Sequence, residues 1–121
     1  MIVYETGAVK VEIDLKNGIY RLPVDGGVGK TYLFKILESL SISNNILCLT
    51  FGVCELKDIT NGVVICDRYD LYQTKDMIKK LTKLSDNNVV LLSVKHLRYV
   101  DMKLPRSCNI YWESGEISVR Y

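Results

Sequence analysis

The chain lacks the cysteine and histidine patterns that identify a thiolate metal site or a redox pair. Its four cysteines (Cys48, Cys54, Cys66 and Cys108) include no C-x-x-C pair, and no histidine stands at ligand spacing from them. Charge of one sign is also missing: a formal net charge of +2 gives no argument for nucleic acid or for a membrane surface as partner. The lysines at 75, 79, 80 and 83 form a local basic cluster, spaced as the solvated face of a helix. No apolar run is long enough to span a bilayer, so no membrane segment is expected. Glu5, Lys10, Glu12 and Asp14 break up the first residues, which therefore do not read as a signal peptide. Repeats, low-complexity tracts and linkers are absent as well. Cys48 and Cys66 fall in apolar strand-like runs and are expected as buried free thiols, which suits a cytoplasmic protein. Residues 1–121 are expected to form a single domain.

What is present is organised around residues 21–37. An apolar strand end leads into Val24-Asp25-Gly26-Gly27-Val28-Gly29-Lys30-Thr31, followed by a helix with Leu33, Ile36, Leu37 and Leu40 on one face. Gly29, Lys30 and Thr31 satisfy the end of the phosphate-loop pattern G-x-x-x-x-G-K-[ST], with Val24 in place of the leading glycine. The chemistry follows from the residue types. Small residues let the N–H groups of Asp25, Gly26, Gly27, Val28 and Gly29 curl around a phosphate at a helix N-terminus. Lys30 reaches the outer phosphates, and the Thr31 hydroxyl ligates Mg²⁺. The competing reading is an Asp-Gly-Gly turn before an ordinary helix.

Before the loop, residues 9–15 alternate apolar and polar, Asn17-Gly18 supplies a hairpin turn signal, and residues 19–22 return as its second strand. After the first helix, residues 46–51 and 62–67 are apolar strands. The second ends at Asp67, a carboxylate delivered where ligands bind in open α/β sheets and able to hold Mg²⁺ opposite Thr31. Between them lies a polar connection with one helical turn around residues 55–58. Residues 71–85 have helical periodicity, with Thr74 as N-cap. Residues 89–94 form another buried strand before His96. Residues 97–107 read as a loop or short helix, and residues 109–112 and 117–120 as a closing hairpin. The expected fold is α/β, a mixed sheet with flanking helices and β-hairpins at both ends.

This order of features resembles the P-loop NTPase superfamily, and within it the ABC/SMC-type ATPases, over nearly the whole chain. The resemblance implies that Asp67 is the Walker B aspartate, that His96 is the switch histidine near the terminal phosphate, and that Tyr4 stacks on the base, with Tyr20 as its competitor. It implies ATP and Mg²⁺ as cofactors. GTP is disfavoured because no Asn-Lys-x-Asp motif is present.

The departures bear on activity. Arg68 stands where the family has its catalytic glutamate, leaving Asp70 as the nearest acid to orient water. Arg68 could itself contact a terminal phosphate or pair with Asp70 or Glu55. No Leu-Ser-Gly-Gly-Gln signature is present, the interval between Thr31 and Asp67 is too short for the helical subdomain that carries it, and the only glutamine is Gln73. The expectation is a stripped-down accessory protein, as of a bacterial mobile element, that binds nucleotide with weak or absent hydrolysis. A protein partner or self-association would complete the site. The alternative is a degenerate P-loop fold that regulates or inhibits another protein without nucleotide turnover.

Overall fold

The structure, a computed structural model, describes residues 1–24, 29–98 and 105–121. In chain order the elements are β1 (Ile2–Glu5), β2 (Lys10–Ile13), β3 (Gly18–Arg21), α1 (Lys30–Leu40), β4 (Ile46–Leu49), β5 (Val63–Cys66), a 3-10 turn (Tyr69–Leu71), α2 (Lys75–Leu84), β6 (Val89–Leu92), β7 (Arg106–Ser107), β8 (Asn109–Glu113) and β9 (Glu116–Arg120). The fold is α/β, but its strands form two sheets rather than one. The larger has the order β4-β5-β6-β3-β7, with every pairing parallel; the smaller has the order β1-β2-β9-β8 and is mixed.

Period-two alternation divides the large sheet between two apolar layers. Tyr20, Val63, Ile65, Val89 and Leu91 face one side, where α1 contributes Leu33, Phe34, Leu37 and Leu40 and the small sheet contributes Val11, Ile13, Ile117 and Val119. Val64, Cys66, Val90 and Leu92 face the other side, with Leu81 of α2 and Tyr69. Strands buried on both faces need continuous apolar sequence, which β5 and β6 have. At the amino end of these strands, the fully buried Asn88 staples three segments. Its Oδ1 accepts from Gly62 N–H, and its Nδ2 donates to the Ile59 and Leu84 carbonyls.

The opening hairpin differs from the expected one. It joins β1 to β2 around residues 6–9, whereas β3 lies in the other sheet, hydrogen-bonded to β6 and β7. Asn17-Gly18 marks the crossing between sheets, and Gly18 N–H bonds the Asn88 carbonyl at the start of β6. The local turn preference yields to non-local pairing, because the apolar β6 takes a neighbour on each edge. The closing hairpin is as expected: β8 and β9 pair antiparallel, with Gly115 at φ 70° in the turn. No helical turn forms at residues 55–58. Residues 99–104 of the expected 97–107 loop lie outside the described residues.

The connections define a crossover point. From β3 the chain passes through α1 to β4 at the far edge, returns by β5 and α2 to β6 beside β3, and then places β7 on the other side of β3. Ligands of open parallel sheets bind outside the carboxyl ends of the strands, where connections diverge in this way.

Candidate functional site at the carboxyl edge of the parallel sheet

The edge begins where β3 runs out. Leu22 N–H still bonds the Leu92 carbonyl, and Pro23 then ends the pairing. Asp25, Gly26, Gly27 and Val28, four of the expected phosphate contacts, lie outside the described residues. Gly29 is the N-cap of α1 at φ 90°, a left-handed conformation that favours glycine. It is glycine for a second reason: a Cβ there would collide with the Trp112 ring. Gly29 gives α1 no capping side chain and the first turn holds no acid, so no side chain within that turn offsets its amide dipoles. Lys30 donates from Nζ to the Val24 carbonyl at 3.1 Å. Thr31 is exposed in the same turn.

Asp67 follows β5 at a bulge. Ser93 N–H donates to the Cys66 carbonyl and Tyr69 N–H donates to the Ser93 carbonyl, so Asp67 and Arg68 bow out of the β5–β6 ladder. Arg68 makes the bend in the left-handed region, at φ 53°. On the other side, Asp67 N–H donates to the Leu49 carbonyl, and the Tyr72 hydroxyl bonds the carbonyls of Asp67 and Leu49. The Asp67 carboxylate has no hydrogen bond or ion pair among the described residues, and neither ion pair expected for Arg68 forms there.

Asp70 and His96 are brought together, but through the backbone. The two Asp70 oxygens accept the N–H groups of Lys95 and His96, each at 2.8 Å. Burial pushes the Asp70 pKa up. The bonds from Lys95, His96 and its own N–H, with the His96 charge, outweigh that and hold it below the usual carboxylate value. A carboxylate engaged in this way is a weak proton acceptor. Gln73 grips the same segment, donating from Nε2 to the His96 carbonyl at 2.6 Å and accepting Arg98 N–H at 2.8 Å. From β3, Arg21 donates to the Val94 and Lys95 carbonyls. The His96 side chain stays exposed.

Tyr4 is not at this edge. It is 8% exposed within the core, and its hydroxyl reaches the Asn45 carbonyl at the amino end of β4, the opposite end of the sheet. Its competitor Tyr20 is likewise buried and bonds the Lys16 carbonyl. The aromatic beside the loop is Trp112 of β8, which packs against Gly29 and lies 5.0 Å from the Tyr32 ring. No local pattern marks Trp112, Gln73 or Arg21 in the sequence. Each reaches the edge through tertiary contact.

The edge therefore offers backbone donors and an ammonium to an anion, with one carboxylate and one hydroxyl nearby in the topology. Among the described residues no group of three or more His, Cys, Asp or Glu side chains forms a metal cage. One carboxylate and one hydroxyl nevertheless fit Mg²⁺, which takes most of its octahedral oxygens from water and substrate phosphates. The chain matches no family model, no curated protein and no solved structure.

Proposed function

We propose that this chain binds a magnesium–nucleoside triphosphate, ATP in preference to GTP, at the carboxyl edge of its parallel sheet, and turns it over slowly or not at all without a protein partner. The observation that carries this reading is a shared edge. The first turn of α1 with Lys30, which bonds the Val24 carbonyl beyond β3, and the bulged Asp67 after β5 lie at the carboxyl ends of parallel strands separated by β6 alone.

In this reading Lys30 exchanges the Val24 carbonyl for a phosphate oxygen, and the α1 amides supply further donors. Thr31 and Asp67 would hold Mg²⁺, which when bound neutralises charge between phosphate oxygens. His96 provides a polar contact to the terminal phosphate. Phosphoryl transfer is mostly positioning and electrostatics, so binding survives the loss of a base better than turnover does. Arg68 in place of an acid, with Asp70 engaged by backbone N–H groups, leaves the chain short of a water-orienting group.

A second reading, a regulator that docks on another protein without nucleotide, is favoured by the open edge of β4 and by Phe51 and Val53, which are 66% and 64% exposed beside it. Equilibrium dialysis with labelled ATP and Mg²⁺ separates the two. Saturable binding that weakens at least about tenfold in Lys30→Ala, the loss of one charge-assisted contact of ~1.5–3 kcal/mol, is the expected result. Absence of binding at millimolar ATP favours the second reading.

A further inference from the structure

Resting on the nucleotide reading above, we infer that Asp70 and Gln73 are positioning residues that fasten the 95–98 segment to the Asp67 turn, so that occupancy at Asp67 is transmitted to His96. The segment has no regular structure, yet its backbone groups are met by side chains. Asp70 takes two consecutive N–H groups, one per oxygen, and Gln73 takes the next carbonyl and the Arg98 N–H. Arg21 secures the two preceding carbonyls from the β3 side. The segment is thus tied to the ends of both strands that border β6.

The side chains it presents, Lys95, His96 and Arg98, remain exposed. Backbone fixed by partly buried side chains, with cationic and imidazole groups left outside, is an arrangement for holding those groups at a set position. The link to Asp67 is short. Two residues separate it from Asp70, the left-handed Arg68 and Tyr69 at the start of the 3-10 turn, with Tyr69 N–H bonded to the Ser93 carbonyl. A displacement of Asp67 must therefore move Asp70 or break its bonds to 95 and 96.

The chain contains one histidine and one glutamine, so both are unambiguous in an NMR spectrum. The test follows the His96 ring and the amides of 95, 96 and 98 in labelled protein as Mg-ATP is added, in the parent and in Asp70→Asn, Gln73→Ala and Gln73→Glu. Dialysis on the same samples measures binding. In the parent, the ring and amide signals should shift along the binding isotherm. In Asp70→Asn and Gln73→Ala, binding should persist while the ring response falls at least twofold and exchange of the clamped amides speeds up at least tenfold. Gln73→Glu, which keeps the acceptor for Arg98 and loses the donor to His96, should fall between.

An unchanged His96 response in variants that still bind Mg-ATP overturns the positioning role while sparing the nucleotide reading. Failure of the parent to bind overturns that reading and the coupling with it. If Asp70→Asn does not fold, the two Gln73 variants decide the matter alone.

Discussion

Asp70 shows how far a residue's task can lie from its sequence neighbourhood. Three positions after Asp67, it reads as a spare acid for water, but its partners are backbone N–H groups 25 and 26 residues away. Its folded pKa lies below the ordinary 3.8, so its contribution to stability is full above that value and fades as pH falls through the lower folded one. The amide shifts of Lys95 and His96 should therefore titrate together, with a midpoint below 3.8, and a midpoint above it would contradict the assignment.

Tyr69 makes the opposite case. Its ring is fully buried, and its hydroxyl is the buried side-chain polar atom left without a hydrogen-bond partner among the described residues. An unsatisfied buried hydroxyl costs roughly 1–3 kcal/mol, so Tyr69→Phe should unfold at the same or higher denaturant concentration. Gly29→Ala should lose about 1–3 kcal/mol, because it combines left-handed strain with a collision against Trp112. Displacement of that ring should shift the emission of the chain's only tryptophan. At this scale Gly29, Lys30 and Thr31 stand out in the sequence because their motif is contiguous. Arg21, Gln73 and Trp112 do not, because their partners are set by the fold.

Among the elements, those with their own periodicity were legible and those defined by partners were not. α2 declares itself through its apolar positions, and Thr74 caps it as expected, accepting Met77 N–H at 3.0 Å. Removing that cap in Thr74→Ala should cost ~1 kcal/mol and speed hydrogen exchange in the first turn of α2. An unchanged midpoint would mean that the first turn does not depend on its cap. The lysines of α2 at 75, 79, 80 and 83 are exposed, as expected for a solvated face, and Lys80 pairs with Asp76. The strands β4, β5 and β6 are likewise where their apolar runs put them. β2 and β3 are correctly strands, but the Asn-Gly signal between them names a local hairpin that the large sheet does not use. Pairing carries no signature in a single strand's composition, so two sheets could not be told from one.

For the molecule as a whole, α1 and the small sheet cover one face of the parallel sheet and α2 covers the other, and this layering also governs thiol chemistry. Burial pushes the Cys108 thiol up to about 12. Burial, with Glu38 nearby, does the same to Cys48, also to about 12, and burial raises Cys66 further. These groups are thiols rather than thiolates at pH 8. A thiol reagent should modify all four cysteines rapidly only in denaturant, with Cys54, on the loop after β4, first to react in the folded protein. Rapid modification of all four in the native state would contradict the layering.

The central claim is that the carboxyl edge of the parallel sheet is a working phosphate site. Thermal unfolding with and without Mg-ATP, on the parent and on Lys30→Ala, tests it most directly. At ~100 times its dissociation constant a ligand adds roughly 2.7 kcal/mol, a shift on the order of 10 °C for a domain of this size. The account predicts that shift in the parent and its loss in Lys30→Ala, each measured against the same protein without nucleotide. An unshifted parent, or an equal shift in the variant, would contradict it.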